Sequence, residues 1–231
     1  MQAYKKGLGY KVAATIGWGS LYLVSTEDIS NISELEGCEV YNTGKGLTPD
    51  IVFKNILLNS NVNQQNIEFS YVGAASELAP LLISGQAKYA VVPEPVLSAV
   101  MAKKSNIKII LSLNEEWAKL NNVERGYPQS TLLIKEEFYN KIKNTNDYDK
   151  LIEAFSESEK WVLDNPQLAA EKCEELGITV NKDVINESIR NSNLNFIRIE
   201  NSEEEYETYF SIIDGENKGE IEEYDSIFIK E

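Results

Sequence analysis

Short apolar runs, rich in Val and Ile, alternate along the first half of the chain with segments of helical periodicity. They predict strands at 11–16, 21–24, 39–42, 67–72, 89–92, 107–113 and 131–134, and helices between them at 32–36, 49–58, 75–84, 95–103 and 115–121. Strands separated by helices of about 8 to 12 residues indicate βαβ units and a mostly parallel sheet, since parallel neighbours need a long crossover. Three boundaries carry explicit chemistry. Thr48-Pro49-Asp50 reads as N-cap, N1 proline and first-turn acid. Asn31 and Glu34 read as a capping pair, and Gly85 ends the helix 75–84, where a residue with positive φ is wanted.

After about Glu136 the pattern turns helical. Tyr148, Leu151, Ile152, Phe155 and Val162 share one helix face, which ends at Asn165-Pro166. Further helices are predicted at 168–176, before Gly177, and at 183–190. Ser202-x-x-Glu205 reads as a capping box ahead of Tyr206, Tyr209, Phe210 and Ile213 at i, i+3, i+4 and i+7. The order is therefore α/β first and α-helical afterwards, without an internal repeat.

Charge and composition narrow the function. The 231 residues hold 22 Lys and Arg against 37 Asp and Glu, a net charge of 22 − 37 = −15, with no histidine. So negative a field disfavours phosphate backbones and anionic lipid surfaces. The lack of histidine excludes Ser-His-Asp and Cys-His nucleophile pairs and histidine-ligated zinc. Cys38 and Cys173 are far apart, belong to no CxxC, and read as small buried hydrophobes. No apolar run reaches the roughly 18 residues of a membrane span. No apolar signal core follows Met1-Gln-Ala-Tyr-Lys-Lys, so the chain is either cytoplasmic or has its leader elsewhere. No cofactor or metal site is expected.

Four segments could carry chemistry. In Tyr41-Asn-Thr-Gly-Lys-Gly-Leu-Thr-Pro-Asp50 a strand runs into a two-glycine loop and then a helix start, where backbone N–H groups favour a negative or strongly accepting group. Asp50 offsets part of that preference, and an ordinary tight turn explains the spacing equally well. In Thr15-Ile-Gly-Trp-Gly-Ser20 the glycines leave Trp18 free to stack on a flat ligand, or to pack in the core. In Val92-Pro-Glu-Pro-Val96 the prolines hold Glu94 at a strand end, as an acceptor for an amine, amide or amidine or as a solvated helix-start acid. Tyr71-Val-Gly-Ala-Ala-Ser76 suits close approach of a ligand or of another backbone. No nucleophile and base stand together, so no catalytic residue is expected.

The run GWGSLYLVS, then SELEGCEVYNTGKGLTPD, YVGAASELAPLLISGQAKYAVVPEPVLSAVMAK, IILSLNEEWAK and LLIKEEFY resembles the solute-binding proteins of ABC importers in the nitrate, sulfonate and taurine group, which includes binders of the thiamine pyrimidine precursor. It extends from about Lys11 to about Gly177. The resemblance implies a periplasmic-binding-protein-like fold of two α/β lobes, with a remnant of the first lobe at 1–26, a middle lobe at 27–130, and a return segment with helical C-terminal part at 131–231. It implies a small polar organic molecule or oxyanion held in an interlobe cleft by Trp18, Gly19, Ser20, Gly46, Leu47, Thr48 and Glu94. The implied partner is an ABC permease, and the implied location, for a full-length lipoprotein parent, is extracytoplasmic. Before Tyr4 most of the first lobe's opening βαβ units have no counterpart, so that lobe is expected to be incomplete. A competing expectation is a truncated, non-binding fragment that forms a homodimer through the unfinished lobe. A third is an enzyme like the thiamine-pyrimidine synthases, which consume an active-site histidine; the absence of histidine opposes it.

Overall fold

The computed structural model describes residues 7–178, 180–213 and 225–230. The chain forms two compact units. One comprises residues 1–18, 127–165 and 193–231, and the other 19–126 and 166–192.

In the first unit, β1 (Tyr10–Trp18) is the centre of a three-stranded sheet, with β7 (Pro128–Lys135) and β8 (Leu194–Arg198) antiparallel on either side. The helices α5 (Glu136–Ile142), α6 (Asp147–Asp164) and α9 (Glu203–Ile213) belong to this unit. Val12, Ile134, Ile152, Ile199, Phe210 and Phe228 form its core. The buried hydroxyls within it are paired: Thr15 donates to Tyr206 Oη at 3.1 Å, and Tyr206 lies 2.7 Å from Thr131 Oγ1. The α6 helix spans the apolar face predicted from Tyr148 to Val162.

The second unit is built on a five-stranded sheet in the order β4 (Glu68–Val72), β3 (Glu39–Thr43), β5 (Tyr89–Pro93), β2 (Leu21–Ser25), β6 (Lys108–Ser112). β3 is parallel to both β4 and β5. Since β2 is antiparallel to both β5 and β6, four of the five strands share one direction. Val24, Ala90 and Val92 pack under α2 (Leu78–Ser84) and α3 (Val96–Met101). Leu23, Val40 and Val91, one residue out of step, turn to the opposite face and are fully buried. The remaining helices of this unit are α1 (Thr48–Asn59), α4 (Leu113–Asn121), α7 (Pro166–Glu175) and α8 (Lys182–Asn191).

All seven predicted strands form. The Asn31–Glu34 capping box is present, and Gly85 ends α2 at φ 82°. Several readings need correction. The N-cap of α1 is Leu47, not Thr48, and Pro49 follows in the first turn. Leu47 makes no side-chain capping bond, and the first-turn acid Asp50 instead accepts from the Gly46 N–H. The predicted helix 75–84 opens as a 3-10 turn, Ala75–Glu77, before α2. Cys38 and Cys173 are free but only half-buried. Among the α-helices and strands, α5 and β8 were not predicted. β8 is a short run, Leu-Asn-Phe-Ile-Arg, whose stability comes from pairing with β1.

Candidate functional site

Because β3, β4, β5 and β6 run the same way, their carboxyl ends lie along one edge of the second unit's sheet. β2 runs the other way and so begins there: Leu21 pairs with Pro93. Five separate stretches of sequence thus meet at one edge: Gly19-Ser20, Gly44 to Thr48, Gly73 to Glu77, Glu94-Pro95 and Ser112 to Glu115. In open α/β sheets this is where ligands are held. Six of the seven predicted site residues, Gly19, Ser20, Gly46, Leu47, Thr48 and Glu94, are on it. Trp18 is the last residue of β1 in the first unit; it is only 3% exposed and donates its indole N–H to Asn195 O at 3.0 Å. Of the two forms open to it from sequence, stacking on a ligand or packing in the core, the indole here takes the buried, hydrogen-bonded one.

The two-glycine loop forms because Gly44 and Gly46 both take positive φ, 60° and 75°. A Cβ on Gly44 would fall 2.4 Å from Leu47 Cδ1, so the loop folds back on its own exposed leucine. The Gly46 N–H donates to Asp50 Oδ2 at 2.8 Å, and the Leu47 N–H to Gly44 O at 3.0 Å. Asp50 is 2% exposed; it accepts from Tyr71 Oη at 2.7 Å and pairs with Lys54 at 2.9 Å. The Lys54 ammonium lies 4.9 Å from the Phe69 ring centroid and donates to Tyr71 Oη at 2.9 Å. Burial would raise the Asp50 carboxyl, but hydrogen bonds from Lys54, Gly46 and Tyr71 outweigh it and hold the group below the usual carboxylate range.

The other turns follow the same plan. Glu77 Oε1 accepts from the Ala74 N–H at 3.1 Å. Glu94 Oε2 accepts from the Ser98 N–H at 3.2 Å, and Oε1 from the Ser98 hydroxyl at 2.9 Å. The Glu94 N–H donates to Ser20 O at 3.1 Å, tying the PEP turn to the start of β2. Asn114 holds that start from the other side, accepting from the Gly19 N–H at 3.0 Å and donating to Arg125 O at 2.8 Å. Tyr22 beside this edge is pushed up to about 12, by burial first and then by Glu94 and Glu115. Sequence reasoning missed Glu77 and Asn114. Glu77 had a signal, an acid just after a small-residue turn; Asn114 had none, because both of its partners are backbone groups distant in sequence.

A pocket of about 870 Å³ also lies in the second unit, between α3 and α8, with Ser98, Met101, Lys103, Ile109, Val184 and Glu187 among its walls. It holds none of the predicted site residues, and its contact with the edge is Ser98. Among the described residues no cluster of His, Cys, Asp or Glu could hold a metal ion, and no helix is long and apolar enough to cross a membrane.

No protein-family model matches the chain, and no curated protein matches its sequence. Solved structures do match in fold. An ABC transporter protein from Parabacteroides distasonis is 21% identical with a TM-score of 0.79, over 99% of this chain and 77% of that one. The periplasmic aliphatic sulphonate-binding protein SsuA from Escherichia coli is 14% identical with a TM-score of 0.70, over 92% and 67%. The alkanesulfonate-binding protein SsuA from Xanthomonas axonopodis pv. citri, bound to MOPS, is 10% identical with a TM-score of 0.58, over 84% and 64%. These neighbours are binding and transport proteins, and none supports pairing of two copies of this chain. The chain therefore has the fold of the solute-binding proteins of ABC importers.

Proposed function

We propose that the chain is the solute-binding component of an ABC import system, binding one small polar solute at the carboxyl edge of the second unit's sheet and delivering it to a membrane permease. The proposal carries an extracytoplasmic location for the parent protein, and no turnover. The observation that carries it is the convergence of six predicted residues, drawn from three stretches of sequence, on one strand-end edge. The fold neighbours support it, since the two SsuA proteins among them bind sulfonates. Gly46, Leu47 and Thr48 would line the site at the α1 start, Thr48 with its hydroxyl, Glu94 would supply a carboxylate acceptor, and Gly19-Ser20 the facing backbone; Trp18 is retained as a site residue by family resemblance alone.

A melting screen against small solutes tests this. A ligand at 100 times its Kd adds about 2.7 kcal/mol of stability. The expected result is a saturable rise in Tm for one solute class, reduced in both Thr48→Ala and Glu94→Ala. A rise that survives both substitutions would place the binding elsewhere.

A further inference from the structure

The sequence left two opposed preferences at this edge: the glycine-loop helix start suits an anion, whereas Glu94 suits a donor. The hydrogen bonds separate them. An oxyanion at a helix start needs free N–H groups. At α1 the Gly46 N–H is taken by Asp50 and the Leu47 N–H by Gly44 O, the Asp50 and Ile51 N–H groups return to Leu47 O, Pro49 has none, and Thr48 is itself engaged. The Ala74 N–H is taken by Glu77 and the Ser98 N–H by Glu94. Three of the turns have thus filled an anion's place with a carboxylate of their own. Of the nearby cations, Lys54 is committed to Asp50 and Tyr71, and Arg125 pairs with Glu124 at 2.9 Å. The loops otherwise carry one exposed base, Lys45, against Glu77, Glu94 and Glu115.

Resting on the reading of this edge as the solute site, we propose that it selects a neutral or cationic solute bearing N–H donors, such as an amine, amidine or aminated heterocycle, over an oxyanion. Glu94 is the specificity residue. Ser98 occupies one direction on each of its oxygens, and a carboxylate has lone pairs left to accept from a ligand. Asp50 excludes anions by closing the α1 start; it binds no ligand itself.

The test is calorimetric titration of the full chain with benzamidine, 4-aminopyrimidine, MOPS and nitrate. At least one nitrogenous probe should bind roughly tenfold or more tighter than either anion, since like-charge juxtaposition is strongly unfavourable. Glu94→Gln should cut that affinity by about tenfold and leave the melting temperature near wild type. Asp50→Asn, if folded by its melting curve, should narrow the gap by improving MOPS binding. MOPS or nitrate binding as tightly as the nitrogenous probes would overturn the selectivity and leave the solute-binding reading standing. Tight binding of a nitrogenous probe unchanged in Glu94→Gln would overturn the role of Glu94. No binding of any of the four at millimolar concentration would overturn both the selectivity and the site.

Discussion

A Cβ on Gly126 would lie 2.0 Å from Asn114 Oδ1, so this glycine is the space into which the Asn114 amide fits. Gly126 also stands at φ 96°, a backbone few side chains adopt. Asn114 is 8% exposed and cannot retreat without releasing Gly19 or Arg125. Gly19 and Gly126 are the points where the chain enters and leaves the first segment of the second unit, so one side chain ties both.

Two glycine substitutions should therefore differ. Gly126→Ala combines the positive-φ penalty, about 1–2 kcal/mol, with the loss of one or two hydrogen bonds at about 1 kcal/mol each. Gly44→Ala meets only the flexible, exposed Leu47 side chain and should cost about 1–2 kcal/mol. Denaturant unfolding of both variants checks the order, and equal losses would show that Asn114 is not held.

Asn114→Leu should speed amide exchange at Gly19 by at least about tenfold relative to Leu23 and Val24, because the acceptor is gone. Asn114→Asp keeps an acceptor for Gly19 and should restore most of that protection. Uniform acceleration across the sheet would instead mark a general loss of stability.

The Asp50 carboxyl is depressed in the folded state, so its contribution is present above the unfolded pKa, about 4, and is lost as pH falls through the folded value. The stability gap between wild type and Asp50→Asn should hold from pH 7 down to about 5 and close below about 4. Denaturant melts across that range measure it; a gap that widened toward acid would reverse the assignment.

Glu159 in α6 has the opposite sign. Burial raises it to about 7 against a bond from the Phe196 N–H, and its Oε2 is buried without a partner. A raised folded pKa gives stability that is present below the unfolded value and is lost as pH rises through about 7. Glu159→Gln should match wild type near pH 4 and exceed it at pH 8. The difference in Tm at the two pH values decides this.

The sheet was legible because its strands are Val- and Ile-rich runs whose burial is set by local pattern, as at Tyr89–Val92. The loop at Gly44–Gly46 was legible because positive φ leaves a mark in residue type. What escaped was contact at a distance. β8 has a weak pattern and exists through β1, and Asn114 acts on backbone at Gly19 and Arg125, which no periodicity encodes. The cap was misplaced by one residue: Thr48 opens the first turn, Leu47 precedes it as the cap, and it is Asp50 that accepts from the loop, at Gly46. At Trp18 the glycine-flanked signal fits a stacking indole and a core one alike, and the buried side chain bonded to Asn195 has the second form.

The central claim is that this chain binds one small solute at the strand-end edge that holds Glu94 and Thr48. Native mass spectrometry of the freshly purified chain, titrated with benzamidine, 4-aminopyrimidine and MOPS, tests it most directly, because stoichiometry and occupancy are read together. The account predicts a saturable one-to-one complex with a nitrogenous probe that weakens sharply in Glu94→Ala. A bare chain at every concentration, or a complex of equal strength in that variant, would contradict it.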